Sequence, residues 1–206
     1  MKNRTRTVVA TAILVTASGP AFAHHVMDGQ TPVTFVEGLL SGLGHPVIGL
    51  DHLAAVIAVG LLASMHRGGA LLVIGFVLAM IGGAALHLRG ATIPVAEALV
   101  ALSVLLLGLT LLRHRHLAVP AALTLFVLAG LVHGYALGES IVGAEPSPLA
   151  AYFVGLAVIQ SAIALAAMAA ARAFTRKNAD MTPLRLSGAA IAGIGFAILV
   201  QQITAA

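Results

Sequence analysis

The sequence predicts an all-α membrane protein, a six-transmembrane-helix bundle that follows a cleaved N-terminal signal peptide. Of its 206 residues, 60% are hydrophobic and only 9% are charged, whereas about 25% of the residues in soluble domains are charged. The mean hydropathy is +1.05. Apolar stretches recur along the chain that reach the roughly 20 residues a helix needs to cross a hydrocarbon core.

The first 23 residues have the three parts of a secretory signal peptide. Three basic residues precede the apolar run 8–15, and an A-x-A site ends at Ala23. Because signal peptides are removed at such sites, we expect a mature domain of residues 24–206 that begins with His24-His25. An uncleaved signal anchor is the alternative.

Hydropathy predicts six helices after this peptide. They cover residues 34–65, 69–88, 92–112, 117–138, 148–172 and 184–204. The first would be about 48 Å long as a continuous helix, well beyond a core of about 30 Å. Pro46 removes a helix hydrogen bond and clashes with the carbonyl of Gly42. We therefore expect an interfacial or re-entrant piece at 34–43 and a span from about His45 onward.

The distribution of basic residues predicts the topology. With the mature N-terminus outside, the connections after the first, third and fifth helices are cytoplasmic. Basic residues concentrate in such connections, and the others contain only Arg89. Both mature termini are thus predicted in the periplasm of a bacterial inner (cell) membrane. The seven cytoplasmic basic residues are Arg67, Arg113, Arg115, Arg172, Arg176, Lys177 and Arg185.

These scattered basic residues account for a sequence pI of about 10.4. They form no long basic arm, so the lipid bilayer is the expected partner and nucleic acid is not. The chain has no cysteine, which excludes disulfides and thiolate metal sites.

Ionisable residues interrupt the first apolar segment at His45, Asp51 and His52. Such residues in a membrane span mark functional sites. In a regular helix the two histidines share a face but lie about 10.5 Å apart along the axis. We therefore expect one of them to coordinate a cation and Asp51 to accept a ring N–H. Two core histidines bonded to backbone groups are the alternative.

Alternating helix directions place further polar groups at the same depth. His133 and Glu139 lie in the outer part of the fourth helix, and Glu97 lies near the start of the third. One external-facing site of histidines and carboxylates suits a borderline divalent transition metal. For Glu97, a carboxylate that complements the helix dipole is the alternative.

Other histidines lie in the connections. The free amine of His24, the next peptide nitrogen and the His25 imidazole would form a planar nitrogen chelate that favours Ni(II) or Cu(II). Solvated residues beside a cleavage site are the alternative. His114 and His116 lie in a basic turn, which the positive-inside pattern explains without a metal. His66 beside Arg67 is interpreted in the same way.

At the first motif the chain resembles the HupE/UreJ family of nickel/cobalt permeases. The family pattern HPxxGxDH matches in full at residues 45–52. Pro94-Val95-Ala96-Glu97, with Ala101 and Ser103 after it, resembles the helix-three pattern of the family. The signal peptide and six-helix layout agree with the resemblance over the rest of the chain.

A second family pattern, close to FHGxAHGxE, matches only in part, around His133-Gly134. Leu137 stands where the family has a histidine, one turn from His133, and Glu139 falls one position before the usual acid. The missing histidine implies weaker affinity or altered metal choice.

The resemblance implies a permease rather than an enzyme, which takes up Ni²⁺ or Co²⁺ across the inner membrane. The ion would serve maturation of hydrogenase, urease or cobalamin-dependent enzymes, and it is cargo rather than a tightly bound cofactor. The resemblance implies metal-handling roles for His45, Asp51 and His52 and, through the partly matched second pattern, for His133 and Glu139.

Two functions of other classes remain open at this point. A membrane haem-binding redox protein would use His52 and His133 as axial ligands, and an accessory subunit of a metal-enzyme assembly system would carry no flux. An intramembrane hydrolase is disfavoured, since no serine lies in a nucleophile motif. Whether the chain forms a homo-oligomer also stays open.

Overall fold

The computed structural model describes residues 31–113, 116–177 and 180–204. The predicted signal peptide, together with His24 and His25, lies outside these described residues. Within them the chain forms seven α-helices and one 3-10 turn, Glu139–Ile141. The helices are α1 (Phe35–Ile48), α2 (Leu50–Ala63), α3 (Gly69–Leu88), α4 (Ala96–Leu112), α5 (Val119–Gly138), α6 (Pro146–Lys177) and α7 (Thr182–Thr204).

The predicted all-helical membrane architecture is confirmed in its class. By length and composition, α3, α5, α6 and α7 can each cross a membrane, and the bent pair α1–α2 makes a fifth candidate, while α4 is shorter at 17 residues. Large aliphatic side chains point outward into what would be lipid. They include Leu71, Ile74 and Leu78 of α3 and Val154 and Val158 of α6.

The first segment breaks, but at Gly49 rather than before His45. Helices α1 and α2 meet there at 81°, and Gly49 has an extended backbone with φ −73° and ψ 109°. Pro46 lies in the last turn of α1, where the Gly49 N–H still donates to the His45 carbonyl at 3.2 Å. The chain therefore leaves the helix three residues after the proline, with His45 in α1 and Asp51 in the first turn of α2.

Helix α4 begins at Ala96, four residues later than the hydropathy pattern predicted. Pro94 precedes Val95, whose φ of 55° and ψ of 34° lie in the left-handed region. This conformation turns the chain sharply before the helix starts, and a β-branched residue is strained in it. This turn places Glu97 in the first turn of α4.

Glycines bring three helix pairs into close contact. The spacing of Gly130, Gly134 and Gly138 predicts a face for close approach, and the structure confirms it against α3. A Cβ on Gly134 would strike the Met80 carbonyl, and one on Gly130 would strike the Phe76 carbonyl. The same kind of contact joins α1 to α6 and α4 to α7, at Gly38, Gly42, Gly155, Gly108, Gly188 and Gly195.

Helix α2 is the axis of the bundle, since it packs against all six other helices. Its buried side is made mainly of small residues such as Ala54, Ala55 and Ala58. It also defines two ends of the molecule. We call the end with the start of α2, the start of α4 and the end of α5 the motif end, and the end with connections 64–68 and 113–118 and Arg172 the basic end.

Candidate metal site at the motif end

The two sequence motifs meet at His52 of α2 and His133 of α5. Their Nδ1 atoms lie 2.7 Å apart, within hydrogen-bond distance, and the ring centroids are 4.9 Å apart in an edge-on arrangement. His52 is 8% exposed and His133 is fully buried. Two imidazoles whose residues are 81 positions apart in sequence are thus held against each other inside the bundle.

Ser103 of α4 extends this hydrogen-bonded chain and determines which ring nitrogens of His133 and His52 carry a proton. Its Oγ lies 2.8 Å from the Val100 carbonyl and 2.9 Å from Nε2 of His133. A hydroxyl has one proton to donate, so all three bonds form together only if Ser103 donates to Val100 and accepts from His133 Nε2–H. His133 Nδ1 then accepts from His52 Nδ1–H. This assignment, made from the network, leaves the Nε2 lone pair of His52 available to a cation.

Asp51 holds its carboxylate beside both rings. Its Oδ1 accepts the backbone N–H of His52 at 2.8 Å, in the first turn of α2, where the helix dipole favours negative charge. The sequence predicted a bond from Asp51 to a ring N–H, but the ring of His52 is turned toward α5 and bonds His133 instead. Asp51 still lies within electrostatic range of His52 and His133.

Gly49 leaves the space that this arrangement needs. A Cβ at this position would lie 2.8 Å from Cδ2 of His52 and 3.1 Å from Oδ1 of Asp51. Contacts under 3.0 Å are not tolerated by a rigid ring in a packed interior. The glycine of the first motif therefore permits the side chains of Asp51 and His52 to lie close to the break.

The other candidate residues of the described chain lie at the same end of the bundle. Glu97 lies within electrostatic range of both Asp51 and Glu139, so carboxylates from α2, α4 and the 3-10 turn share this end. The His45 ring centroid is 6.5 Å from that of His52, because the bend at Gly49 shortens the separation expected along a straight helix. Among the described residues no three His, Asp or Glu side chains are placed to hold one metal ion. Within the described part of the chain, the arrangement therefore offers an ion at most two of these side chains at once.

Three polar residues of the interior were not singled out as site residues in the sequence. Ser103 entered only through the helix-three pattern. Tyr135, inside the second motif, bonds the Ala91 carbonyl at 2.9 Å and contacts the His87 ring at 4.5 Å. Gln160 of α6 is fully buried, and its amide has no hydrogen-bond partner in the described part of the chain. A lone amide inside an apolar run was the available signal for Gln160.

Comparison with known proteins places both motifs in one family. The family model described as HupE / UreJ protein matches residues 12–198. "Protein HupE" of Rhizobium leguminosarum bv. viciae is 33% identical over 167 residues, which cover 80% of this chain and 85% of that protein. No solved structure matches the chain.

Proposed function

Because the chain belongs to the HupE/UreJ family, we propose that it is a secondary transporter that takes up Ni²⁺ or Co²⁺ across the bacterial inner membrane. The ion would supply the maturation of hydrogenase, urease or cobalamin-dependent enzymes. The contact of His52 with His133 beside Asp51 is the observation that carries this proposal. Imidazole with nearby carboxylate suits borderline divalent metals.

The proposed orientation has the motif end in the periplasm and the basic end in the cytoplasm. It requires six crossings, with α1–α2 as one broken crossing and α4 as a short one of about 26 Å. Arg67, Arg113, Arg172 and Arg185 all lie in or beside the connections of the basic end, in agreement with the positive-inside rule. The signal peptide would deliver His24-His25 to the periplasmic face, where it offers a first chelate.

In this mechanism the carboxylates of the motif end attract the hydrated cation and His52 Nε2 replaces one of its waters. The bond to His133 and Ser103 orients the ring, as partners of metal-binding histidines usually do. The chain has no nucleotide-binding motif, so the driving force is the membrane potential or proton exchange at the same groups. A divalent ion gains about 4.6 kcal/mol on entering a cell at 100 mV.

The haem alternative fits the geometry poorly. Two axial nitrogens on opposite sides of one iron would lie about 4 Å apart, twice a typical metal–nitrogen distance, whereas the two Nδ1 atoms are 2.7 Å apart. The purified protein is expected to show no Soret absorbance.

Metal accumulation in cells tests the proposal. Cells with the wild-type protein should accumulate more Ni²⁺ or Co²⁺ than empty cells, and Asp51→Asn or His52→Ala should remove the gain at equal membrane levels. Asp180→Asn is the matched control, because that acid is exposed in the α6–α7 connection and accepts the nearby backbone N–H of Thr182. Wild-type accumulation equal to that of empty cells would contradict the proposal.

The coupling is tested separately. Collapsing the membrane potential and the proton gradient together should stop uptake. Uptake that persists would mean that a partner ATPase supplies the energy, and the chain would then be a subunit rather than a secondary transporter.

A further inference from the structure

We propose that His66 and His116 form a second divalent-cation site, at the basic end of the bundle. It rests on the proposed function, because it takes the same cargo as the motif end and passes it to the cytoplasm. The basic turn that explained these histidines in the sequence does not explain why their rings meet.

The ring geometry fits two ligands of one ion. The ring centroids of His66 and His116 lie 4.8 Å apart with the planes at 48°. Two imidazoles on one metal, with metal–nitrogen bonds of about 2.1 Å and an angle near 90–110°, have centroids about 4.5–5.3 Å apart. His66 is buried and His116 is exposed, so one ring is fixed by packing and the other is open to water.

The position mirrors that of the first pair. His66 follows the end of α2 by three residues, and His116 precedes the start of α5 by three. The same two helices therefore carry a histidine pair at each end. Fourteen residues separate His52 from His66, which corresponds to about 21 Å of helix rise, so the two pairs lie toward opposite faces of a core about 30 Å thick.

The surroundings favour release. Nη2 of Arg172 donates to the His66 carbonyl at 2.7 Å, and its positive charge weakens cation binding nearby.

Ion counting on the purified full-length protein tests the site. Calorimetric titration with Ni²⁺ in detergent micelles should show one ion fewer for His66→Gln and for His116→Gln than for wild type, or binding of that ion weaker by more than about tenfold. The double variant should lose no more than either single variant, because all three remove the same site. Arg113→Gln, in the same connection as His116, is the matched control and should keep the wild-type count.

Two results would overturn the site. The first is an unchanged ion count and affinity in both single variants, and the second is a lowered melting temperature with no ion lost, which would make the pair a packing contact. Failure of the proposed function looks different. In that case wild-type cells accumulate no metal, or Asp51→Asn changes nothing, while the His66 and His116 titrations still give their own answer.

Discussion

The two ends of the bundle use the same side chain in opposite surroundings. At the motif end, His52 and His133 are buried, hydrogen-bonded through Nδ1 and close to Asp51, which in turn lies within electrostatic range of Glu97. At the basic end, His66 contacts an exposed histidine and lies beside Arg172. The comparison teaches that imidazole spacing alone does not set the strength of a cation site. The neighbouring charges differ, with a carboxylate at one end and a guanidinium at the other, and the proposed capture and release rest on this difference.

The largest effect on uptake is expected when a larger side chain is introduced at the motif end. Gly49→Ala puts a Cβ 2.8 Å from the His52 ring, and a displacement near 1 Å in a functional group costs about 100-fold in rate. Gly193→Ala is the matched control, since this glycine is exposed on α7 and a Cβ there meets nothing within 4 Å. Initial rates of Ni²⁺ uptake should fall about 100-fold for the first variant and stay unchanged for the second. Equal rates in both would show that the packing around Gly49 does not position His52.

A smaller effect on uptake is expected when the hydrogen bond that orients the His52–His133 pair is removed. Ser103→Ala removes the acceptor of His133 Nε2–H, and loss of a partner that orients a metal-binding histidine lowers affinity by about 10–100-fold. The apparent KM for Ni²⁺ uptake should rise by that factor, and Ser103→Thr should restore it. Thr110→Ala is the control, because that hydroxyl is exposed on the same helix and bonds only Leu106. A KM unchanged in Ser103→Ala would remove the serine from the network.

Adding a histidine at the motif end should increase the difference in Ni²⁺ affinity between the two ends. Leu137→His places an imidazole one turn from His133, where the family pattern has one, and we expect Ni²⁺ to bind about tenfold tighter, or about 1.4 kcal/mol. Leu137 is fully buried, so the variant Leu137→Gln, which adds polarity with a weaker ligand, separates coordination from burial. Titration calorimetry on both variants checks this. Unchanged affinity in Leu137→His would show that position 137 cannot reach the ion.

The smallest effect concerns the interior between the two ends. Gln160→Met removes a buried amide that has no hydrogen-bond partner among the described residues, and such groups cost about 1–3 kcal/mol. The melting temperature in detergent should rise, by an amount equivalent to about 1 kcal/mol. Gln201→Met, in the half-exposed last turn of α7, should leave it unchanged. A lower melting temperature in Gln160→Met would mean that the amide is satisfied, for example by water.

Much of the fold follows from periodic apolar patterns, since six apolar segments appear as helices and the glycines of α5 lie against α3 as their spacing predicts. The position of the break was not accessible in this way. Pro46 predicts that the helix is disrupted nearby. Whether the last turn of α1 still forms after the proline depends on the hydrogen bond from the Gly49 N–H to the His45 carbonyl. The start of α4 differed for a similar reason, because hydropathy does not report the left-handed conformation of Val95.

The candidate site was predictable where motif residues carry charge and was missed where neutral groups complete it. His52 and Asp51 stand out because ionisable side chains are costly in an apolar span. Ser103 does not, since serine is common in membrane helices as a packing residue. His66 and His116 lie in connections 50 positions apart beside arginines, and only the antiparallel pairing of α2 and α5 shows that they meet.

A helix that packs against other helices on every side is the one least free to move when the protein changes conformation. Helix α2 contacts six other helices, and its many alanines let these helices pack closely against it. We therefore expect α2 to keep its position when other parts of the bundle move. Helix α1 differs, because it rests mainly on α6 and joins α2 through the single residue Gly49. Any opening of the motif end would therefore bend the chain at Gly49 and move α1 relative to α2 together with α6, against which its glycines pack closely.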